Sequence, residues 1–276
     1  MKRRFFLVPV LIMCLLLSAC GKQPSEPAVP QDMPPAPEQP ETPREPETPE
    51  QSQASQPRAV TPMERRSELR DPEDGSVVLI TVTSSFPDIE GMDQVTGYYR
   101  TVQDDLEAVY SADLADAALM RADLLAAGGS FQPYTVEMDY QVLRNDGSAL
   151  SLLRRVYENR GGAHPSVLYR AETFDAASQG RLLLGDLFSV GEEDYLPLLM
   201  DKVRAQLSAS GEQSWYEGVE QRLESLYDPL DFALTGDSLL VFFNEGELAP
   251  HAAGAQMVYI PLSELGDSLQ PRWVTP

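Results

Sequence analysis

The order of hydrophobic and polar positions in the first half of the chain predicts strands around a helical region. Residues 77–83 are β-branched and apolar, as expected of a buried strand. Residues 134–142 alternate apolar with polar side chains, which indicates a half-buried strand. Between them, apolar residues recur at helical spacing over residues 92–127 and Gly128 follows. This region predicts one long amphipathic helix or two abutting helices.

The second half of the chain returns mostly to strand patterns. Asn145-Asp146-Gly147 predicts a hairpin turn. Strand patterns cover residues 149–158, 166–174, 239–243 and 256–262, and helical spacing covers residues 195–207 and 213–226. Runs of strands interrupted by a few helices predict an α+β fold. We expect antiparallel sheets with a long amphipathic helix and one or two further helices.

The N-terminus has the pattern of a secretory signal peptide. Basic residues 2–4 precede an apolar run over residues 5–17 and then Ser18-Ala19-Cys20. The run is shorter than the roughly 20 residues that span a bilayer. Residues 17–20 resemble the lipobox of bacterial lipoproteins, in which the cysteine is lipidated. We therefore expect a signal peptide over residues 1–19, lipidation of Cys20 and lipid anchoring at the extracytoplasmic face of the cell membrane. An ordinary secretory peptide and a retained membrane anchor are the alternatives.

Composition divides the remainder into a tether and a globular domain. Residues 21–62 hold 12 of the chain's 23 prolines, separated by Glu, Gln, Ser and Thr. Such a segment has too little apolar surface to fold. We expect a disordered tether over residues 20–71 and a domain over residues 72–276, with an optional subdivision near residue 160.

Charge and motif content narrow the function of the domain. Residues 72–276 contain 33 Asp and Glu against 12 Lys and Arg, a net charge of −21 that disfavours nucleic acid. The only cysteines are Cys14 and Cys20, and neither HExxH nor GxSxG occurs. We expect a monomer that is not an enzyme and has no cofactor and no metal. A carboxylate pair of a hydrolase stays open as an alternative.

Two stretches carry a resemblance to a known family. The first contains Gly161-Gly162-Ala163-His164-Pro165 and continues through Tyr169 to Leu184-Gly185-Asp186-Leu187-Phe188. The second runs from Phe232 through Leu248-Ala249-Pro250-His251-Ala252-Ala253-Gly254 to Ser263. Over roughly residues 77–265 the chain resembles the extracytoplasmic domain of RsiV-type anti-sigma factors. A similar module forms the N-terminal part of the peptidoglycan deacetylase PdaC.

The resemblance implies a binding or sensing module and points to its contacts. RsiV-type domains recognise lysozyme, a cationic protein. The candidate ligand-contacting residues in or beside the two stretches are His164, Tyr169, Glu247 and His251. His251 departs from the family pattern, which usually has an aromatic residue there. Only residues 1–4 precede the apolar run, so we expect no cytoplasmic sigma-binding segment, and because the chain ends at Pro276 we expect no deacetylase domain.

The favoured function is therefore a membrane-anchored extracytoplasmic lipoprotein that binds or senses a ligand. A cationic, lysozyme-like protein and cell-wall glycan are the partners that fit. A structural or accessory lipoprotein of the cell envelope is the alternative, and a cell-wall hydrolase is less favoured. For each candidate residue, a purely structural role in a turn or in packing competes with ligand contact.

Overall fold

The computed structural model describes residues 57–162, 164–209, 215–225 and 231–274. They lie in the unit that runs from Glu50 to Pro276. The signal peptide, Cys20 and residues 20–56 of the tether lie outside the described residues.

Eight strands and five α-helices are assigned in this part of the chain. The strands are β1 (Val60–Arg70), β2 (Val78–Ile89), β3 (Tyr134–Asn145), β4 (Ala149–Asn159), β5 (Ser166–Asp175), β6 (Phe232–Leu234), β7 (Ser238–Phe243) and β8 (Gln256–Pro261). The helices are α1 (Asp93–Ser111), α2 (Leu114–Ala126), α3 (Glu192–Ala209), α4 (Val219–Ser225) and α5 (Pro271–Val274). The α+β fold is confirmed, and the long helical region is two abutting helices.

A five-stranded sheet in the order β1-β2-β3-β4-β5 forms the first half. Its neighbours pair antiparallel except β2 and β3, which run parallel. This pair departs from the expected antiparallel sheets. The reason is the connection through α1 and α2, since a crossover rather than a hairpin joins parallel strands.

The helices cover one face of this sheet because their apolar stripe matches it. In α1, Val95, Tyr99 and Leu106 are separated by four and seven residues, so they share one face of the helix, and all three are buried. They pack with Val82 and Phe86 of β2 in one hydrophobic core. On α2 only Ala117 is buried, so that helix is mostly exposed.

A three-stranded sheet in the order β6-β7-β8 forms the second half with α3. Its core contains Leu199 and Val203 of α3 together with Leu239, Ile260 and Trp273. A smaller cluster joins the two sheets: Leu153 of β4 and Ala171 of β5 contact Ala233, Leu240 and Phe242. The second sheet therefore sits on the face of the first sheet that α1 and α2 leave free.

Two expectations about boundaries are corrected by the strands. The assignment of residues 20–71 to a disordered tether is wrong at its end, because Val60–Arg70 form β1 and pair with β2 over their whole length. Three apolar residues of β1 pack against the core on the helix side of the sheet, and the polar composition of the segment gave no sign of this packing. They are Val60, Met63 and Leu69. No boundary falls near residue 160, because β4 and β5 pair on either side of it, for example Tyr157 with Val167.

The predicted hairpin is present, and a side chain builds its turn. The Asp146 carboxylate accepts hydrogen bonds from the backbone N–H groups of Ser148 and Ala149 at 2.8 and 3.0 Å. Burial alone would raise the pKa of Asp146. These two bonds, together with hydrogen bonds from the Ser148 hydroxyl and from Arg144, hold the pKa below its usual value.

No helix among the described residues is long and apolar enough to cross a membrane.

Candidate functional site

The outer edge of β5 is closed by side chains from the second half of the chain. Three alternate backbone N–H groups of this edge donate to side-chain oxygens: Val167 to Glu245 Oε1 at 2.7 Å, Tyr169 to Asn244 Oδ1 at 2.6 Å, and Ala171 to Asp231 Oδ1 at 2.7 Å. An open strand edge carries a row of unpaired backbone groups. Here those groups anchor the flanks of β6 and β7, which places several candidate residues together.

The turn after β7 is built by Asn244 and Glu247. The Asn244 N–H donates to Glu247 Oε2 at 2.6 Å, and the Glu247 N–H donates to the Asn244 carbonyl at 3.1 Å. Gly246 between them has φ +79°, a conformation that side chains with a Cβ avoid. Glu247 is half-buried. The Glu247 carboxylate therefore stabilises the turn by accepting a backbone hydrogen bond, in addition to lying at the candidate site.

His251 lies beside this turn and presents its ring to solvent. It begins a short 3₁₀ helix, His251–Ala253, and 62% of its side chain is exposed. Its Nδ1 lies 3.3 Å from Oε1 of Glu245, which is only 14% exposed. A Cβ on Gly246 would stand 3.3 Å from the imidazole ring, so residue 246 must be small for the ring to pack there. The imidazole of His251 and the carboxylate of Glu245 therefore lie close together at the surface.

Three of the four predicted contact residues meet at this place and the fourth does not join them. Tyr169 packs its ring edge-on against Phe242 with centroids 6.5 Å apart, and it is tied to Asn244 through its backbone. Glu247 and His251 lie on the same turn region. His164 is exposed in the β4–β5 connection, and among the described residues its ring makes no hydrogen bond or ion pair.

A cavity of about 130 Å³ opens between β5 and the second half. Leu184, Leu199 and Met200 give it an apolar floor, and Glu247 reaches its wall. The ion pair of Arg170 with Asp231, at 2.8 Å, lies at its rim. The site thus combines a small recess of mixed polar and apolar lining with a rim in which carboxylates outnumber cations. We name the β5 edge, the 244–251 turn and this recess the β5 cleft.

Sequence reasoning missed Asn244, Glu245 and Asp231, which hold the cleft together. The signal for the first two was local: Asn244-Glu245-Gly246 directly follows the buried strand β7, a turn-forming sequence. Asp231 carries no such signal, because its partners on β5 lie 60 residues away along the chain. Among the described residues, no group of three or more His, Cys, Asp or Glu side chains could hold a metal ion.

A buried polar cluster lies under the helix side of β5. Arg154 Nη2 lies 2.6 Å from Oε1 of Glu172, and Tyr99 donates to Oε2 of Glu172 at 3.2 Å. Burial first, and then the neighbouring charge of Glu172, raises the pKa of Tyr99 well above its ordinary value. Because Glu172 is 1% exposed and its partners come from α1 and β4, the cluster fixes β5 in position.

Comparison with known proteins finds a family match for part of this region. Residues 185–263 match the family described as "Protein of unknown function (DUF3298)". This match covers β6, β7, β8 and the turn that carries Glu247 and His251. This part of the chain is therefore similar to DUF3298 proteins, which supports the resemblance at this coarser level.

Curated relatives come from mycobacteria. The immunogenic protein MPT64 of Mycobacterium tuberculosis is 33% identical over 122 residues, covering 43% of this chain and 51% of that protein. The immunogenic protein MPB64 of Mycobacterium bovis matches to the same extent. An esterase of M. tuberculosis is 27% identical over 118 residues, covering 42% of this chain and 50% of the esterase. The chain spans about half the length of these relatives.

Two solved structures share the fold over most of the chain. A DUF3298 family protein of Pseudomonas aeruginosa PAO1 superposes with a TM-score of 0.55 at 17% identity, covering 80% of this chain and 99% of the other. A member of the same family from Bacteroides fragilis gives a TM-score of 0.54 at 16% identity, covering 77% and 94%. Likeness at this identity establishes the fold alone.

Proposed function

We propose that the protein is a lipid-anchored extracytoplasmic binding module whose β5 cleft recognises a cationic, lysozyme-like protein. The observation that carries the proposal is that the fold brings Tyr169, Glu247 and His251 to the same turn beside the β5 edge, where Glu247 also lines the recess. Glu247 and His251 lie 78 and 82 residues after Tyr169 in the sequence, so only the fold brings the three residues together. The anchor rests on the sequence of residues 17–20, and its chemistry is independent of the fold.

The charge of the molecule favours a cationic partner. The domain has an excess of carboxylates, and Glu245, Glu247 and Asp231 concentrate three of them around the cleft. An acidic surface attracts cationic proteins and speeds their encounter. The half-buried ring of Tyr169 would supply the aromatic contact that gives such a complex its specificity.

Ester hydrolysis is a second candidate because one relative is an esterase. The pair of His251 with Glu245 supports it, since a carboxylate that orients an imidazole is one part of a hydrolytic site. A nucleophile must then lie within hydrogen-bond reach of the free ring nitrogen. In the described part of the chain no serine hydroxyl hydrogen-bonds to His251, and both cysteines lie near the N-terminus. The geometry therefore favours binding over catalysis.

Titration calorimetry tests the proposal, with lysozyme as the ligand and cytochrome c as a cationic control. We expect lysozyme to keep measurable affinity when salt is raised from about 0.15 M to about 0.5 M, because buried contacts are not screened. Cytochrome c should lose its binding. Equal binding of both proteins that vanishes at the higher salt would overturn recognition and favour an accessory envelope role. Turnover of a nitrophenyl ester that His251→Ala abolishes would favour the esterase.

A further inference from the structure

The two edges of the five-stranded sheet are treated differently. The β5 edge is closed by the three side chains from the second half of the chain. The β1 edge has no such cover: among the described residues, β1 pairs only with β2. β1 is 11 residues long and its outward backbone groups form a template for another strand.

The side chains of β1 divide by face. Odd-numbered residues point toward α1, since Arg65 pairs with Asp104 at 2.7 Å and Ser67 bonds to Glu107. Val60, before Pro62, also packs on the helix side, but from residue 64 onward the even-numbered residues occupy the opposite face because side chains alternate along a strand. From residue 64 onward these are Glu64, Arg66, Glu68 and Arg70. Their charges alternate regularly between negative and positive.

This alternation makes the strand complementary to itself. If a second β1 lies antiparallel with the two-fold axis at Ser67, Arg66 stands opposite Glu68 of the other copy. Glu64 then stands opposite Arg70. Symmetry repeats both pairs, so four cross-strand pairs of opposite charge form on one face. Pairs directly opposite each other stabilise antiparallel strands, whereas like charges there destabilise them.

Neighbouring registers do not have this property. The side chains of both copies must keep their faces in the joined sheet. The two-fold axis between the copies can therefore pass through one residue or another, but not between two residues. With the axis at Arg66, that residue faces its own copy and Glu64 faces Glu68. With the axis at Arg65, two arginines meet on the helix side. Pro62, which lacks an N–H, lies outside the ladder formed by residues 64–70.

We propose that β1 is a self-association edge, at which two copies of this chain pair antiparallel about Ser67 and join their sheets into one of ten strands. The charges that usually protect an edge strand here select one partner and one register. The inference replaces the sequence-based expectation of a monomer and is independent of the ligand bound at the β5 cleft. One strand pair buries a small area, so the dimer belongs to the weak, transient class.

Paired charge variants test the proposal on the full chain in a mild non-ionic detergent. Arg66→Glu and Glu68→Arg each place like charges opposite each other twice, so each variant alone should sediment as a monomer. Mixed together, they restore both opposite-charge pairs and should form a heterodimer. The wild-type chain should dimerise at concentrations up to about 0.5 mM, a range chosen because interfaces of this size are weak.

The side chains of Arg66 and Glu68 are 63% and 38% exposed. We therefore expect both variants to fold, which circular dichroism verifies. A wild-type chain that stays monomeric overturns the proposal. Variants that dimerise like the wild type overturn it too. Monomeric variants that fail to associate when mixed would show that the register about Ser67 is wrong.

Discussion

Asn244 bonds twice to the backbone of Tyr169, as a neighbouring strand would. Its Oδ1 accepts the Tyr169 N–H at 2.6 Å, and its Nδ2 donates to the Tyr169 carbonyl at 3.3 Å. A side-chain amide thus takes the place of a backbone peptide at the edge of β5. This relationship connects the second half of the chain to the first sheet, and it positions the turn that carries Glu247 and His251.

Asn244→Ala should destabilise the fold and loosen the cleft. Asn244 is buried, so its loss leaves a donor and an acceptor of Tyr169 unpaired, at a cost of about 1–3 kcal/mol for each group that water cannot reach. Chemical denaturation measures the change. Asn159→Ala is the matched control, since within the described part of the chain its side chain bonds only to the exposed Gly161 N–H, and it should cost well under half as much. Equal effects would contradict the role given to Asn244.

The glycine pair before β5 should respond unequally to substitution. Of the adjacent Gly161 and Gly162, the structure gives a positive φ to Gly161, at +77°. Gly161→Ala should therefore destabilise by about 1 kcal/mol, the cost of a Cβ in the left-handed region. A Cβ meets no atom within 4 Å at either glycine, so the strain of Gly161 is purely conformational. Gly162→Ala, the control, should leave the unfolding midpoint unchanged, and a larger loss at Gly162 would contradict the assignment.

Asp175 should contribute stability that disappears in acid. Burial alone would raise its pKa, but hydrogen bonds from Ser178 and Ala177 and one from Arg272 hold the pKa below its ordinary value. A carboxylate with a depressed folded-state pKa stabilises the fold above its unfolded pKa of about 3.9 and loses this contribution as pH falls through the folded value. Asp175→Asn should thus be less stable than wild type at pH 7, and the difference should shrink below pH ~4. A difference that is constant with pH would rule out this linkage.

Lipid anchoring makes a prediction that does not depend on the fold. Cys20→Ala should leave the protein unlipidated and poorly retained in the membrane fraction, because the lipobox cysteine is the attachment point. Cys14→Ala is the matched control, since Cys14 lies within the expected signal peptide and its loss should change nothing. Metabolic labelling with a fatty acid, followed by fractionation, provides the readout. Detergent-dependent retention of the Cys20→Ala protein would exclude the lipid anchor.

Local patterns revealed those elements whose apolar residues repeat regularly. The alternation over residues 134–142 and the helical spacing around Tyr99 both lie in elements of the predicted type, β3 and α1. β1 escaped because most of its residues are exposed and five of the eleven are charged, so its order derives from pairing with β2. The parallel pairing of β2 with β3 leaves no signature in either strand.

The candidate site was predictable only in part, because its geometry depends on distant pairs. Tyr169 and His251 were singled out by resemblance, while their proximity depends on Asn244 and Glu245, which bond to residues 75 and 78 positions away. No local rule encodes such a separation. The buried pair of Arg154 with Glu172 is equally invisible, since each residue reads as an exposed charge in its own strand.

The most direct test of recognition at the β5 cleft is titration of lysozyme into three proteins at about 0.5 M salt, where screening shortens the range of surface charge to a few ångströms. The proteins are the wild type, His251→Ala and the control Leu119→Ala, whose side chain is 63% exposed on α2. We expect the wild type and the control to bind alike and His251→Ala to bind about tenfold more weakly, which corresponds to about 1.4 kcal/mol. Equal affinity of all three proteins, or no binding by the wild type at this salt concentration, would contradict recognition at the cleft.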